Sequence, residues 1–166
     1  MINVSMLTSR FTVRTMDDSD AELILRLCEG NPLYYQYCKS EASKERILND
    51  LHITPPGIGS SDKYYVGFFR NGELIAVMDL IDGYPEPDFA YIGFFMMNAA
   101  FQGKQIGSGI ISDICAYLKQ IGKRTVRLGI AEDNPQANRF WKKNGFAAVG
   151  KARMDEWTAL IAEKAL

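Results

Sequence analysis

Histidine and cysteine are scarce in this chain of 166 residues. His52 is the only histidine, which argues against a histidine-based metal site and against a Ser/His/Asp triad. The three cysteines, Cys28, Cys38 and Cys115, are odd in number and widely spaced, so neither a disulfide framework nor a zinc site is expected. The sequence therefore predicts no bound metal, and reduced thiols in a cytoplasmic protein.

Long apolar runs are also missing. No stretch approaches the roughly 18 apolar residues that span a bilayer, and the first ten residues do not resemble a secretory signal. Hydrophobic residues make up 47% of the chain and charged residues 23%, which is typical of a globular domain. We therefore predict a single domain over residues 1–166 that makes no contact with a membrane.

The net charge of −1 is unevenly distributed. Residues 101–153 hold ten Lys/Arg against three Asp/Glu, whereas the rest of the chain holds nine against seventeen. A basic segment favours an anionic ligand, although solvated charged faces would give the same count. The near-zero net charge and the lack of an aromatic–basic motif argue against nucleic-acid binding.

Hydrophobic periodicity predicts the element order β-α-α-β-β-β-α-β-α-β-β, a mixed α/β domain. Asn71-Gly72 indicates a tight hairpin, and Asn31-Pro32 indicates a helix break. Ser40 is the expected cap of the second helix. The predicted strands are 10–15, 64–69, 73–81, 89–98, 125–130, 146–149 and 157–162, and the two later helices are 106–121 and 135–144.

A glycine-rich loop, Gln102 to Gly109, joins an apolar strand to an amphipathic helix. Such a junction is suited to an anion, because the first amides of a helix have no intrahelical partner and the helix dipole favours negative charge there. Glycines allow the backbone to approach a phosphate closely. The alternative is a glycine-rich turn without a ligand.

Two other nucleotide-binding loops fit this stretch poorly. The P-loop pattern is absent. Gly103, Gly107 and Gly109 match the G-x-x-x-G-x-G spacing of short-chain dehydrogenases, but only 57 residues follow the last of them. The acidic residue expected about 20 positions further on is also missing, since Gly129 and Ile130 stand there.

The loop resembles motif A of the GNAT N-acetyltransferases, R/Q-x-x-G-x-G/A. Gln102, Ile106 and Gly107 fit the motif, and Gln105 occupies the position of the usual first glycine. That departure indicates either a slightly different loop or a non-glycine residue in helical dihedrals. A second segment, 134–146, resembles the family's N-x-x-A-x-x-F-Y-x-K-x-G-F. Its matching residues are Asn134, Ala137, Phe140, Gly145 and Phe146.

The resemblance covers residues 89–149 and implies a fold, a cofactor and a reaction. The implied fold is a central mixed, mostly antiparallel sheet with splayed fourth and fifth strands, flanked by about four helices. The implied reaction is direct transfer of an acetyl group from acetyl-coenzyme A to a primary amine of an unidentified small-molecule or peptide acceptor, in a monomer or homodimer. The alternative is an acetyl-coenzyme A-binding regulatory module with weak or no catalysis.

The resemblance also implies which residues bind the cofactor. Backbone groups of the fourth strand would hold the thioester and the pantetheine arm, the loop amides would hold the pyrophosphate, and the second motif would line the groove. These residues are Phe95, Met96, Met97, Gln102, Gly103, Lys104, Gln105, Ile106, Gly107, Ser108, Asn134, Asn138, Phe140 and Trp141.

The catalytic groups of relatives are not retained. Trp141 stands where many relatives have a tyrosine acid, and Tyr91 stands where some have a glutamate base. Asp79, within an apolar strand, is the best remaining base, because a carboxylate there is costly unless it is paired or functional; a structural hydrogen bond is the alternative. Tyr34 and Tyr35 are candidate acceptor contacts, although half-buried packing would explain them equally well.

Overall fold

The computed structural model describes residues 1–166 and contains seven strands and five α-helices. The strands are β1 (Thr12–Thr15), β2 (Lys63–Arg70), β3 (Glu73–Asp82), β4 (Phe89–Met97), β5 (Thr125–Ala131), β6 (Ala147–Arg153) and β7 (Thr158–Ala165). The helices are α1 (Ala21–Glu29), α2 (Pro32–Tyr37), α3 (Lys44–His52), α4 (Ile106–Gln120) and α5 (Pro135–Lys143). None of these helices has both the length and the apolar character that a membrane crossing requires.

All strands belong to one sheet, in the order β1-β2-β3-β4-β5-β7-β6. Every neighbouring pair is antiparallel except β4 and β5, which run parallel. Asn71 and Gly72 join β2 to β3 with positive φ values of 51° and 81°, as a tight hairpin turn requires. The predicted mixed, mostly antiparallel sheet is confirmed, and the doubly wound parallel sheet of a dehydrogenase is excluded.

Strands β4 and β5 remain together over only part of their length. Four residue pairs join them, ending at Ile92 and Leu128, although β4 continues to Met97 and β5 to Ala131. The strands therefore part in the middle of the sheet, as the resemblance implied. Their inner edges beyond this point carry backbone groups that no neighbouring strand satisfies.

Helices cover both faces of the sheet. Helices α1 and α3 bury Ile24 and Ile47 on the face that includes Val77 of β3. Helices α4 and α5 bury Ile114 and Trp141 on the opposite face. This arrangement buries the sheet between two helical layers and leaves the gap between β4 and β5 as an opening through it.

The segment between α1 and α3 differs from the prediction. Asn31-Pro32 ends α1 as expected, but Pro32 is also the first residue of α2. Proline is tolerated there, because the first N–H of a helix makes no intrahelical hydrogen bond. The chain therefore has five helices rather than about four. Ser43, not Ser40, caps α3, and its side chain accepts a hydrogen bond from Arg46 N–H.

Candidate active site

A cavity of about 290 Å³ lies where β4, the loop before α4, and α5 meet. It contains most of the residues that the resemblance assigned to the cofactor. Those that line it are Phe95, Met96, Met97, Gln102, Gly103, Gln105, Ile106, Gly107, Ser108, Asn134, Phe140 and Trp141. Lys104 and Asn138 do not, and their side chains donate to backbone carbonyls instead.

The loop before α4 presents a row of free backbone donors. None of the six amides from Gly103 to Ser108 donates a hydrogen bond to the protein, and the first helical bond runs from Gly109 N–H to Gln105 C=O. Five of these six residues line the cavity. Free amides at the positive end of a 15-residue helix make an anion site, and their number and spread suit a pyrophosphate.

Gln105 adopts the left-handed conformation, with φ 60° and ψ 8°, at the N-cap of α4. The prediction of a non-glycine residue in helical dihedrals is therefore wrong. The position keeps the backbone conformation that glycine adopts most easily, although its residue is glutamine. The Gln105 amide is still free to donate, so the departure from the family motif leaves the row of donors intact.

The two glycines of α4 have different neighbours. A Cβ at Gly107 would lie 3.4 Å from both Met97 and Phe140 at the cavity wall. A Cβ at Gly109 would lie 2.5 Å from Arg10, whose guanidinium donates to Gly109 C=O and forms an ion pair with Asp113. Gly107 therefore keeps the cavity open, whereas Gly109 lets the N-terminal segment pack on the helix.

The free edge of β4 faces the cavity. Asn98 N–H donates to Ile75 C=O of β3, and backbone directions alternate along an antiparallel pair. The peptide groups of Phe95 and Met97 therefore point away from β3, toward the gap. They are placed where the resemblance requires contacts to the thioester and the pantetheine arm.

Asn31 connects the end of α1 to the cofactor side of the site. Its Nδ2 donates to Met97 C=O at 2.9 Å and to Leu27 C=O at 3.0 Å, while its Oδ1 accepts from Gln102 Nε2 at 2.6 Å. The sequence interpretation missed this role, because an Asn-Pro pair indicates a helix break without showing where the side chain points. The other cavity residues missed were Leu33, Phe101, Gln136, Ala137 and Lys143.

The two asparagines of the second motif have separate roles. Asn134 Oδ1 caps α5 by accepting from Ala137 N–H, and its Nδ2 donates to no protein group. Because Asn134 also lines the cavity, that Nδ2 group is available to a ligand. Asn138 Nδ2 instead donates to three backbone carbonyls between the end of β5 and the start of α5, so it holds this connection in place.

Asp79 lies behind β4 at the gap. It pairs with Phe94 across the sheet, and a bulge leaves Gly93 unpaired beside it. A Cβ at Gly93 would lie 2.8 Å from Asp79 Oδ2, so only glycine fits against this carboxylate. Lys63 Nζ lies 2.7 Å from the same oxygen in a buried ion pair, and Asp79 Oδ1 is buried without a partner.

The surroundings of Asp79 raise its pKa. Burial is the main cause, and the charge of Asp50 on α3 adds to it, while the Lys63 ammonium acts in the opposite direction. Tyr91, on the same face, has a pKa raised by burial and by Tyr84. The Tyr91 hydroxyl lies near Gly129, since a Cβ there would be 3.7 Å from it.

The two candidate acceptor tyrosines point in different directions. Tyr34 lines the cavity and packs edge-on against Phe94, with ring centroids 5.3 Å apart. Tyr35 is buried in the core beneath α1, near Cys28, and lines no part of the cavity. Burial raises the pKa of Tyr34 well above its usual value, so its hydroxyl is neutral at physiological pH.

Trp141 closes the inner end of the cavity. It is 8% exposed, and its ring packs edge-on against Phe140, Phe146 and Phe95 with centroids 5.0, 5.1 and 6.0 Å away. Indole has no acidic proton to give at neutral pH, so this aromatic cluster shapes the cavity rather than supplying a proton donor.

Comparison with known proteins agrees with this geometry. The model of the acetyltransferase (GNAT) family matches residues 24–146. A crystal structure of an acetyltransferase from Thermus thermophilus superimposes with a TM-score of 0.76 at 21% identity, covering 94% of this chain and 97% of that one. The PaiA N-acetyltransferase from Thermoplasma acidophilum, in complex with coenzyme A, gives 0.68 at 22% identity, covering 94% and 99%.

A curated relative is considerably longer. The uncharacterized protein MJ1062 from Methanocaldococcus jannaschii is 24% identical over 150 residues, which are 90% of this chain and 30% of that protein. This chain thus spans 30% of the length of that relative.

The fold and the site together identify the class of protein. A sheet whose two central strands part beside a cavity lined by free backbone amides is the arrangement of the coenzyme A-dependent acyltransferases. The family match extends over most of the same elements, from α1 to the end of α5. The chain belongs to the GNAT acetyltransferase family, and acetyl-coenzyme A is the cofactor of its site.

Replacing Gln105 by glycine should stabilise the fold. A left-handed conformation costs a residue with a Cβ about 1–2 kcal/mol, and the greater flexibility of glycine in the unfolded chain offsets part of the gain. We expect urea unfolding to show a gain of about 0.5–1 kcal/mol. Gln105→Ala is the matched control and should show no such gain, since alanine also carries a Cβ. Equal stabilities of the two variants would contradict strain at this position.

Replacing Gly107 by valine should weaken coenzyme A binding more than it weakens folding. The added methyl groups would enter the space between Met97 and Phe140, where the helix amides face the cavity. We expect calorimetry to show at least a tenfold loss of affinity, which is about 1.4 kcal/mol. Gly109→Ala is the control: it should lower stability by displacing Arg10 and leave affinity unchanged. Unchanged affinity in Gly107→Val would show that the loop is structural only.

Proposed function

We propose that this protein transfers an acetyl group from acetyl-coenzyme A to a primary amine of a small-molecule or peptide acceptor by direct attack. The observation that carries the proposal is the continuity of the site. Five of the six residues with free amides from Gly103 to Ser108 and the free edge of β4 line one cavity, and the gap that begins after Ile92 adjoins it. A long ligand with an anionic end and a reactive end fits this layout.

Protein groups suited to acetyl-coenzyme A are distributed along the cavity. The loop amides would hold the pyrophosphate, Asn134 Nδ2 and the β4 edge would hold the pantetheine amides, and Lys143 adds positive charge at the rim. When bound, the cofactor supplies an activated thioester, whose carbon–sulfur bond breaks as the carbon–nitrogen bond forms. The protein must then orient the amine, remove a proton from its nitrogen and exclude water.

Positioning is the main contribution that the side chains can make. Tyr34 and Phe94 form an aromatic wall on the side of the gap that faces α1 and α2, where an acceptor can approach. Holding two reactants in productive geometry accounts for several kcal/mol of a barrier, up to about 7–11 kcal/mol in well-oriented cases. A free thiol has a pKa of about 8.5, so the leaving sulfur does not require an acid from Trp141.

Asp79 is the proposed base. Its carboxylate contacts Gly93, the first residue of β4 beyond the parting of the strands, although Asp79 itself lines neither cavity. Its buried Oδ1 has no hydrogen-bond partner, and burial raises the carboxyl pKa toward the range in which a base works well. A purely structural ion pair between Asp79 and Lys63 would have the same geometry. The pH dependence of turnover distinguishes a base from a structural residue. Tyr91, whose hydroxyl lies near Gly129, is the second candidate, and a water molecule or a carboxylate of the turn between β3 and β4 is the third.

Transfer of labelled acetyl groups tests the proposed function. Purified protein is incubated with acetyl-coenzyme A labelled in the acetyl group and with a panel of polyamines, aminoglycosides and peptides with free N-termini. Label in an amide product, lost in Gly107→Val, supports the proposal. Tight coenzyme A binding without transfer to any amine would favour a regulatory module, which the loss of the tyrosine acid at Trp141 also fits.

Replacing Asp79 by asparagine should reduce turnover at neutral pH with little change in cofactor affinity. Because the pKa of Asp79 is raised, the wild-type rate should fall as the pH drops through that pKa and the base becomes protonated. The variant should lack this acidic limb, and its deficit should shrink at high pH, where more of the amine is unprotonated. A loss on the order of 10²-fold in kcat is expected.

The pH dependence of turnover distinguishes a catalytic role of Asp79 from a structural one. A variant that folds normally and keeps the wild-type profile and turnover would exclude Asp79 as the base. Tyr91→Phe is the parallel measurement, because it removes the second candidate hydroxyl and leaves the Asp79–Lys63 pair in place.

A further inference from the structure

A second, smaller cavity of about 80 Å³ lies in the gap itself. Its inner end is bordered by Ile92 and Leu128, the last residues that pair β4 with β5. Gly93 and Gly129, the next residue of each strand, also line it. The cavity therefore has two causes. The strands part, and the first residue after the last pair is a glycine on both strands.

The small cavity adjoins the cofactor cavity. Tyr34, Phe95, Asn134, Ala137 and Trp141 line both of them. The wall between the two is thus formed by residues at the reactive end of the proposed cofactor site, and the small cavity extends from that end into the sheet.

The lining is apolar. Nine of the twelve lining residues are hydrophobic, none carries a charge, and Asn134 is the only amide side chain. Ile130 and Trp141 contribute large buried surfaces on the side of α5. An apolar chain gains free energy on entering such a space, whereas an ammonium group would lose its hydration without a counter-charge.

We infer that this cavity is an acyl pocket that admits donors longer than acetyl, so that the protein also transfers propionyl and butyryl groups from their coenzyme A thioesters. This inference rests on the proposed function. One water-sized group needs roughly 10–15 Å³ of such cavity volume, so the space exceeds what the methyl group of acetyl fills. The reaction is the same for each donor: the amide carbon–nitrogen bond forms, the carbon–sulfur bond breaks, and the amine loses a proton.

Calorimetry with free coenzyme A and a series of acyl-coenzyme A thioesters tests the inference without an acceptor. Each methylene buried should tighten binding about fourfold. We expect affinity to rise from acetyl through propionyl to butyryl and to fall at hexanoyl, where the chain meets Ile92 and Leu128. Affinity that does not rise beyond acetyl would overturn the inference.

Two substitutions should change the preferred length of the acyl chain in opposite directions. A Cβ at Gly129 has ordinary contact distances of 3.7 Å, so Gly129→Ala should fold, and its added methyl group should reduce the preference for butyryl. Ile130→Val deletes a methyl group from the wall and should extend tolerance to longer chains. Gly150→Ala, on strand β6 with open space around it, is the matched glycine control and should change nothing.

The outcomes separate this inference from the proposed function. If free coenzyme A binds but affinity does not change with acyl-chain length in either wild type or Gly129→Ala, the pocket does not hold the acyl chain. If Gly129→Ala weakens the binding of free coenzyme A as much as that of butyryl-coenzyme A, the inference also fails, because the residue then acts on the coenzyme A part of the ligand. Absence of coenzyme A binding would overturn the proposed function and this inference together. Mass spectrometry of the products from a positive acceptor confirms butyryl transfer.

Discussion

The separation of β4 from β5 after Ile92 and Leu128 is the constraint on which the site depends. A continuous sheet would have satisfied the backbone groups of Phe95 and Met97 with a neighbouring strand. Since the strands part, the peptide groups of Phe95 and the N–H of Met97 face a cavity and can bind a ligand's amides instead, whereas Met97 C=O already accepts from Asn31. A bulge in the pairing of β3 with β4 leaves Gly93 unpaired at the same point, and bulges are over-represented next to functional sites.

The two ends of the cavity differ in polarity. At one end, the amides from Gly103 to Ser108 and the dipole of α4 favour negative charge. At the other end, Trp141 and the apolar walls of the gap exclude charge. Asn31, between α1 and α2, bonds both Met97 of β4 and Gln102 of the loop before α4, so one hydrogen-bonded residue joins this helix pair to that loop.

Most residues that line the main cavity were predictable from the sequence as one group, because their signals are local. Glycine spacing between Gln102 and Gly109, and the capped helix after Asn134, report on backbone geometry within a few residues. Asn31 was missed because its partners are 66 and 71 residues away along the chain. Tyr34 and Tyr35 could not be separated either, since a one-residue difference in helical direction decides which ring faces the cavity.

Asp79 shows why the catalytic half resists prediction. Its position in an apolar strand indicated a special environment, and the structure supplies two explanations at once: an ion pair with Lys63 and a second carboxylate oxygen without a partner. A buried pair gives weak evidence for stability, because desolvation offsets the attraction between the charges. The absence of a Cβ at Gly93 is more informative, since a Cβ there would lie 2.8 Å from Asp79 Oδ2 and would force one of the two groups to move. The contact with Gly93 therefore links Asp79 to the point at which β4 and β5 part, and a change at either residue is transmitted to the other.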